Sequence, residues 1–160
     1  MARFRRLLGF SAVVAVAIAL TAQPAIASPT QEAILQDDTQ LFANPQGTLS
    51  ELALLGVSRV RVTVYWWLLA PHASSFKRPG GFNASNPAAY GRAWAIYDAI
   101  VRVAQQDHIA LFFTLTGPAP LWATGPGMPS GGPFGQWEPS AAEFGQFVHA
   151  IGRRYSGSYT

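Results

Sequence analysis

The chain has 160 residues, 49% apolar and 12% charged, with ten phenylalanines, five tryptophans, no cysteine and a formal charge of +3. So much apolar surface with so little charge excludes an intrinsically disordered chain, and the lack of cysteine excludes a disulfide framework, a thiolate metal site and a cysteine nucleophile. The basic pI of about 9.7 belongs to the N-terminus: Arg3, Arg5 and Arg6 fall in the first six positions, and the other eight basic residues balance eight acidic ones. A formally neutral body gives no electrostatic case for nucleic acid as a partner.

The basic stretch Met1 to Arg6 precedes an apolar run from Leu7 to Leu20, broken only by Gly9 and Ser11. Gln23, Pro24 and the small-residue triplet Ala25-Ile26-Ala27 follow. Charged, apolar and Ala-x-Ala segments in this order mark a cleavable signal peptide over residues 1–27. The alternative is a retained anchor, but the run is short for a span and the cleavage site is good. A secreted, extracellular protein with no stable membrane association after cleavage is expected. Residues 28–160 then form a body of domain size.

Along that body, Ala33-Ile34-Leu35 is an expected first strand, ending at Gln36-Asp37-Asp38. Thr48-Leu49-Ser50-Glu51 has the capping-box spacing, which predicts a helix starting at Thr48 and stopping at Gly56. Val57 to Tyr65 alternates strictly and reads as a second strand, with Val60, Val62 and Val64 on a helix-covered face. Arg59, Arg61, Thr63 and Tyr65 take the other face, read as a polar interior in which Arg61 needs a carboxylate partner. Asn86-Pro87 opens the next helix, with Tyr90, Trp94, Tyr97, Val101 and Ala104 at helical spacing and an outward Asp98–Arg102 pair.

Ile109 to Leu115 is nearly all apolar, as in a buried parallel strand. Gly117 to Pro139 then holds six glycines and six prolines with Trp122 and Trp137 embedded, a loop long enough to suggest a functional surface. Ser140-x-x-Glu143 is a second capping box, and Phe144, Phe147, Val148 and Ile151 form the stripe of a third helix. Three strand–helix units require crossovers, so the sheet is expected to be parallel with right-handed connections. The long loops follow strands; the connections Gly56-Val57-Ser58 and Asp107-His108 are minimal. That asymmetry places function at the carboxyl ends of the strands.

The segment Leu54 to Trp66, with its Gly, Val-Arg and aromatic after the strand, resembles the helix-one-to-strand-two region of clan A glycoside hydrolases. Pro118-Ala119-Pro120-Leu121-Trp122-Ala123 and the helix ending Phe147 to Tyr155 corroborate it. The likeness extends to β-xylosidase-like and cellulase-like members and covers most of residues 28–160. It implies an α/β fold: a partial (β/α)8 TIM barrel of about three βα units after the cleaved signal peptide.

The resemblance further implies a retaining glycosidase with two glutamates, one in an Asn-Glu-Pro motif ending strand four and one ending strand seven. Neither is present. Glu51 and Glu143 read as caps, Glu32 lies at the start, and Glu138 precedes a proline but follows Trp137 rather than asparagine. A retaining pair sits about 5 Å apart on strand ends, so no catalytic residue is assigned. Arg61 matches the family arginine that keeps the nucleophile ionised, as an adjacent guanidinium does. Thr116 stands where many members carry a histidine.

Trp66, Trp67, Trp122 and Trp137 follow strand ends or lie in their loops. Clustered loop tryptophans suit a glycan cleft, because sugar C–H faces stack on aromatic planes; core packing beneath the loops is the other reading. Asp37 and Asp38 suit either sugar hydroxyls or a turn cap. The expected substrate-binding set is therefore Arg61, Trp66, Trp67, Trp122, Trp137 and Asp38. His72, His108 and His149 have no metal-ligand spacing, and no glycine-rich phosphate loop or nucleophile elbow occurs, so neither metal nor cofactor is expected.

Carbohydrate is thus the expected partner. The leading reading is a truncated secreted glycosidase, inactive alone because residues 28–160 fall far short of the about 250 a closed barrel needs. The alternatives are a non-catalytic secreted carbohydrate-binding protein and a complete three-layer α/β domain of other function.

Overall fold

The computed structural model describes residues 32–157, and the expected signal peptide, residues 1–27, lies outside them. The described residues form a mixed α/β unit around a three-stranded parallel sheet. Its strands are β1 (Ile34–Leu35), β2 (Arg59–Tyr65) and β3 (Ala110–Thr116), in the order β1-β2-β3. β2 and β3 pair along their whole length, from Arg59 opposite Ala110 to Tyr65 opposite Thr116. That register puts Val60, Val62 and Val64 on the same face as Leu111, Phe113 and Leu115.

The valine face is covered by helices, as alternation predicts. Val60, Val62 and Val64 are fully buried, each contributing about 1.5–3 kcal/mol through removal from water. Helix α4 (Ala95–Gln106) supplies Tyr97, Ile100, Val103 and Ala104, and α5 (Ala141–Tyr155) supplies Phe147, Ala150, Ile151 and Tyr155. Val148, assigned to this stripe from spacing, instead faces out at 38% exposure. The two helices are joined by Asp98, whose carboxylate accepts from Arg154 at 2.9 and 2.6 Å and from the Tyr155 hydroxyl at 2.8 Å. The expected Asp98–Arg102 pair is thereby displaced: a buried-edge guanidinium from another helix offers a bidentate geometry that an i,i+4 neighbour does not.

Two short helices precede β2: α1 (Asp38–Ala43) and α2 (Pro45–Leu54). The second starts three residues earlier than the capping box predicts. Asn44 is its cap, accepting from the Gly47 amide at 3.0 Å, and Pro45 sits in its first turn. Thr48 is already inside the helix and its hydroxyl donates to the Gln40 carbonyl. The other end follows expectation. Gly56, at φ +79°, and Val57 donate to Ala53 and Leu52 and close the helix in a Schellman motif.

The Asn86-Pro87 start is also as expected, with Asn86 accepting from the Ala88 amide. It opens a 3-10 segment (Pro87–Trp94) broken at Gly91 rather than a continuous α-helix. The third strand departs further. β3 is half-buried along its length, and Phe112 is 54% exposed. Among the described residues the outer edge of β3 carries no strand, and the face opposite the helices is only partly covered: Arg61 and Phe112 are exposed, while Thr63 is buried with its hydroxyl accepting from Gln36. An apolar run therefore does not become a strand buried on both faces here.

Candidate functional site

The long connections gather where expected, beyond the carboxyl ends of β2 and β3. Helix α3 (Trp66–Leu69) continues directly from β2. The Gly/Pro-rich stretch after β3 folds back on itself: Ala119 donates to the Gly135 carbonyl, Gly125 to Trp137 and Ser140 to Ala123. It is tied to the loop after β2 by the Leu121 amide on Ala73 and the Trp122 indole on Pro71. A second tie runs through Arg78, which donates to both oxygens of Glu143 at 3.0 and 3.1 Å and to the Phe82 carbonyl at 2.7 Å. Its guanidinium also lies over the Phe82 and Trp122 rings. Glu143 is thus an ion-pair partner. The cap of α5 is Ser140, whose hydroxyl accepts from the Glu143 amide.

Two of the six predicted binding residues meet in a shallow groove of about 290 Å³, lined by Asp38, Thr39, Phe42, Tyr65, Trp67 and Leu68. Asp38 is held there by its position in the first turn of α1. One carboxylate oxygen accepts the Thr63 backbone N–H at 2.9 Å and the other accepts from Gln36 at 3.0 Å. Partial burial pushes this carboxyl up, but Thr63, Gln36 and the charge of Arg61 outweigh it and hold it below its ordinary range. Asp38 is therefore ionised at neutral pH with lone pairs left for further donors. Asp37, its neighbour, is the helix cap.

Trp67 is 39% exposed, and its ring meets Phe134, equally exposed, edge-on at 6.1 Å between centroids. These two rings form an aromatic platform contributed by the loops after two different strands. Phe134 escapes a tryptophan-based reading, although its place in the Gly/Pro-rich loop was a signal. Tyr65 lies at the end of β2, its amide bonded to the Tyr97 hydroxyl. Burial pushes the Tyr97 phenol up to about 12.

Comparison of the chain with protein-family models, with curated proteins and with solved structures yields no match.

The remaining predicted residues lie elsewhere. Trp66 is 2% exposed, stacked on Phe147 at 5.8 Å and edge-on to Trp122. Trp122 is itself buried and packs against Phe82. Both are core residues, not exposed sugar platforms: α5 arrives over Trp66 with Phe144 and Phe147, and Trp66, Phe82 and Arg78 pack on Trp122. Trp137 is half-buried, with its indole on the Pro126 carbonyl inside its own loop. Arg61 is exposed on the sheet face opposite the helices and its Nε donates to the Thr114 hydroxyl at 2.6 Å. Arg61 is not interior, because the described residues cover that face at Thr63 and leave it open at Arg61, and its contact is a hydroxyl rather than a paired carboxylate. No group of three His, Asp or Glu among the described residues is placed to hold a metal ion. No helix among them is long and apolar enough to cross a membrane.

Proposed function

We propose that this chain is the N-terminal part of a secreted (β/α)8 glycoside hydrolase of clan A type, contributing carbohydrate binding but not the catalytic glutamates. The observation that carries the reading is the Trp67–Phe134 platform beside the ionised Asp38 carboxylate, at the carboxyl ends of parallel strands. An aromatic face accepts the C–H side of a sugar ring, and a carboxylate with spare lone pairs accepts its hydroxyls. The open part of the sheet face, with Phe112 and Arg61 exposed, supports further strands closing over it, which would give Arg61 a carboxylate in direct contact where it now has the Thr114 hydroxyl and the charge of Asp38 nearby.

Of the four glutamates among the described residues, Glu32 pairs with Arg59 and Glu143 with Arg78, while Glu51 and Glu138 are exposed. None of the four stands at the carboxyl end of a strand, where a retaining pair is placed, so no glycosidase turnover is expected from these 160 residues. A non-catalytic carbohydrate-binding protein is the second reading, favoured by a groove whose six lining residues all come from α1, which follows β1, and from the end of β2 with α3.

The test is calorimetric titration with cello-, xylo- and N-acetylglucosamine oligosaccharides, followed by Trp67→Ala. Loss of the platform should weaken binding at least about tenfold, or about 1.4 kcal/mol, with the fold unchanged by circular dichroism. No binding to any glycan, or binding indifferent to Trp67→Ala, would refute the reading.

A further inference from the structure

Among the described residues no cation is in contact with the Asp38 carboxylate. Asp98 and Glu143 are each met by a guanidinium, from Arg154 and Arg78. The donors on Asp38 are both neutral, the Thr63 amide at 2.9 Å and the Gln36 side-chain amide at 3.0 Å. Arg61 acts on it only through its charge, with its Nε turned to the Thr114 hydroxyl. About two of the four lone-pair sites of the carboxylate are therefore left for a donor from outside.

The side chains around it are aromatic. Phe42, Tyr65 and Trp67 line the same groove of about 290 Å³, and neither Lys, Arg nor His lines it. Neighbouring rings hold these three at steep angles. Phe42 stands at 72° to Tyr65, with centroids 6.3 Å apart, and at 83° to Tyr97, while Trp67 meets Phe134 at 73°. Aromatic faces carry the negative side of a quadrupole and attract a cation within about 6 Å of the ring centre. An ammonium group also gains a charge-assisted hydrogen bond from the carboxylate, roughly twice as strong as the neutral kind. An acidic ligand meets like charge at Asp38 instead. The formal charge of the chain is +3, which gives cations no general attraction, so the attraction is local to this groove.

Resting on the carbohydrate reading of this same groove, we propose that its sugar carries a free, protonated amine, of the glucosamine kind, in preference to a neutral or acidic sugar. The ammonium donates to the open lone pairs of Asp38 and lies among Phe42, Tyr65 and Trp67. The carboxylate and the rings are already fixed by protein contacts, so little ordering is required on binding. Acetylation of the amine removes the charge and with it the preference.

The experiment is calorimetric titration of the full 160-residue chain at about pH 6, where an amine of the α-amino kind is protonated and Asp38 is ionised. Oligosaccharides of glucosamine, glucose and N-acetylglucosamine, of equal length and linkage, are compared. The glucosamine series should bind at least about tenfold more tightly than the other two. Asp38→Asn, which keeps an acceptor for the Thr63 amide, should abolish that difference. If the variant fails to fold, about 1 M salt on the unaltered chain, which screens charges beyond about 3 Å, should cut the preference at least about threefold. Equal binding of the three series overturns the proposal, as does a preference that survives Asp38→Asn or, where that variant does not fold, survives salt. If the neutral oligosaccharides bind as well as the glucosamine series and all are weakened by Trp67→Ala, the carbohydrate reading stands without it. Binding of tetramethylammonium but of no sugar refutes the amino-sugar assignment and the carbohydrate reading together.

Discussion

Replacing Gly135 with alanine tests whether the Gly/Pro-rich loop is a built surface rather than a slack connection. Gly135 sits at φ +63°, its carbonyl accepts the Ala119 amide at 2.8 Å, and an added Cβ would overlap the Ala119 carbonyl oxygen. Left-handed backbone costs a side-chain-bearing residue about 1–2 kcal/mol, and forcing a methyl group against packed backbone adds about 1–3 kcal/mol. The expected loss is therefore about 2–5 kcal/mol. Gly56 provides the comparison: it has φ +79° but open space where a Cβ would go, so Gly56→Ala carries only the about 1–2 kcal/mol backbone cost. Urea unfolding of both variants, followed by tryptophan fluorescence, gives the difference directly. If Gly135→Ala is no more destabilising than Gly56→Ala, the close approach to Ala119 does not hold the loop and the reasoning fails.

Two further outcomes follow from the charged contacts. In a double-mutant cycle of Arg78→Met and Glu143→Gln, the coupling should be about 0.5–1 kcal/mol, because the side chains are 35% and 21% exposed and solvent screens them. Arg78→Met alone should cost more than the coupling, since it also removes the Phe82 carbonyl bond and two ring contacts; strictly additive single effects would disprove the pair. Partial burial pushes the Asp98 carboxyl up, but bonds from Arg154 and Tyr155 and the charges of Arg154 and Arg102 hold it below its ordinary range. A depressed folded-state pKa stabilises above the unfolded value of about 3.9 and is lost as pH falls through the folded value. Asp98→Asn should therefore differ from the parent chain in urea midpoint at pH 7, with the gap narrowing below about pH 4. A gap that stays constant from neutral to acid pH would count against this assignment.

Local chemistry fixed much of this molecule in advance. Alternation in Val60, Val62 and Val64 names the covered face of β2, and Gly56 and Asn86-Pro87 mark ends that depend only on the backbone beside them. The start of α2 was also legible, because Asn44-Pro45 repeats the Asn86-Pro87 device; the Thr48–Glu51 spacing competes with it and loses. The short minimal turns at one end of the sheet, and the long loops at the other, likewise point to the groove. Asp38 and Trp67 were both identifiable as candidates from their positions after strand ends.

Which tryptophans stay exposed was not readable in that way. Trp66 and Trp67 are neighbours of one residue type in one short helix, yet one is stacked on Phe147 and the other meets Phe134 at the surface. Sequence supplies the rings and their loops; the arrival of α5 over Trp66 decides which ring is covered. The same holds for charge. Asp98 faces both Arg102 along its own helix and Arg154 across a helix packing, and Arg61 meets the Thr114 hydroxyl of the next strand rather than a carboxylate. Pairings between elements depend on distances of a few ångströms set by the whole packing, and no window of local sequence contains them.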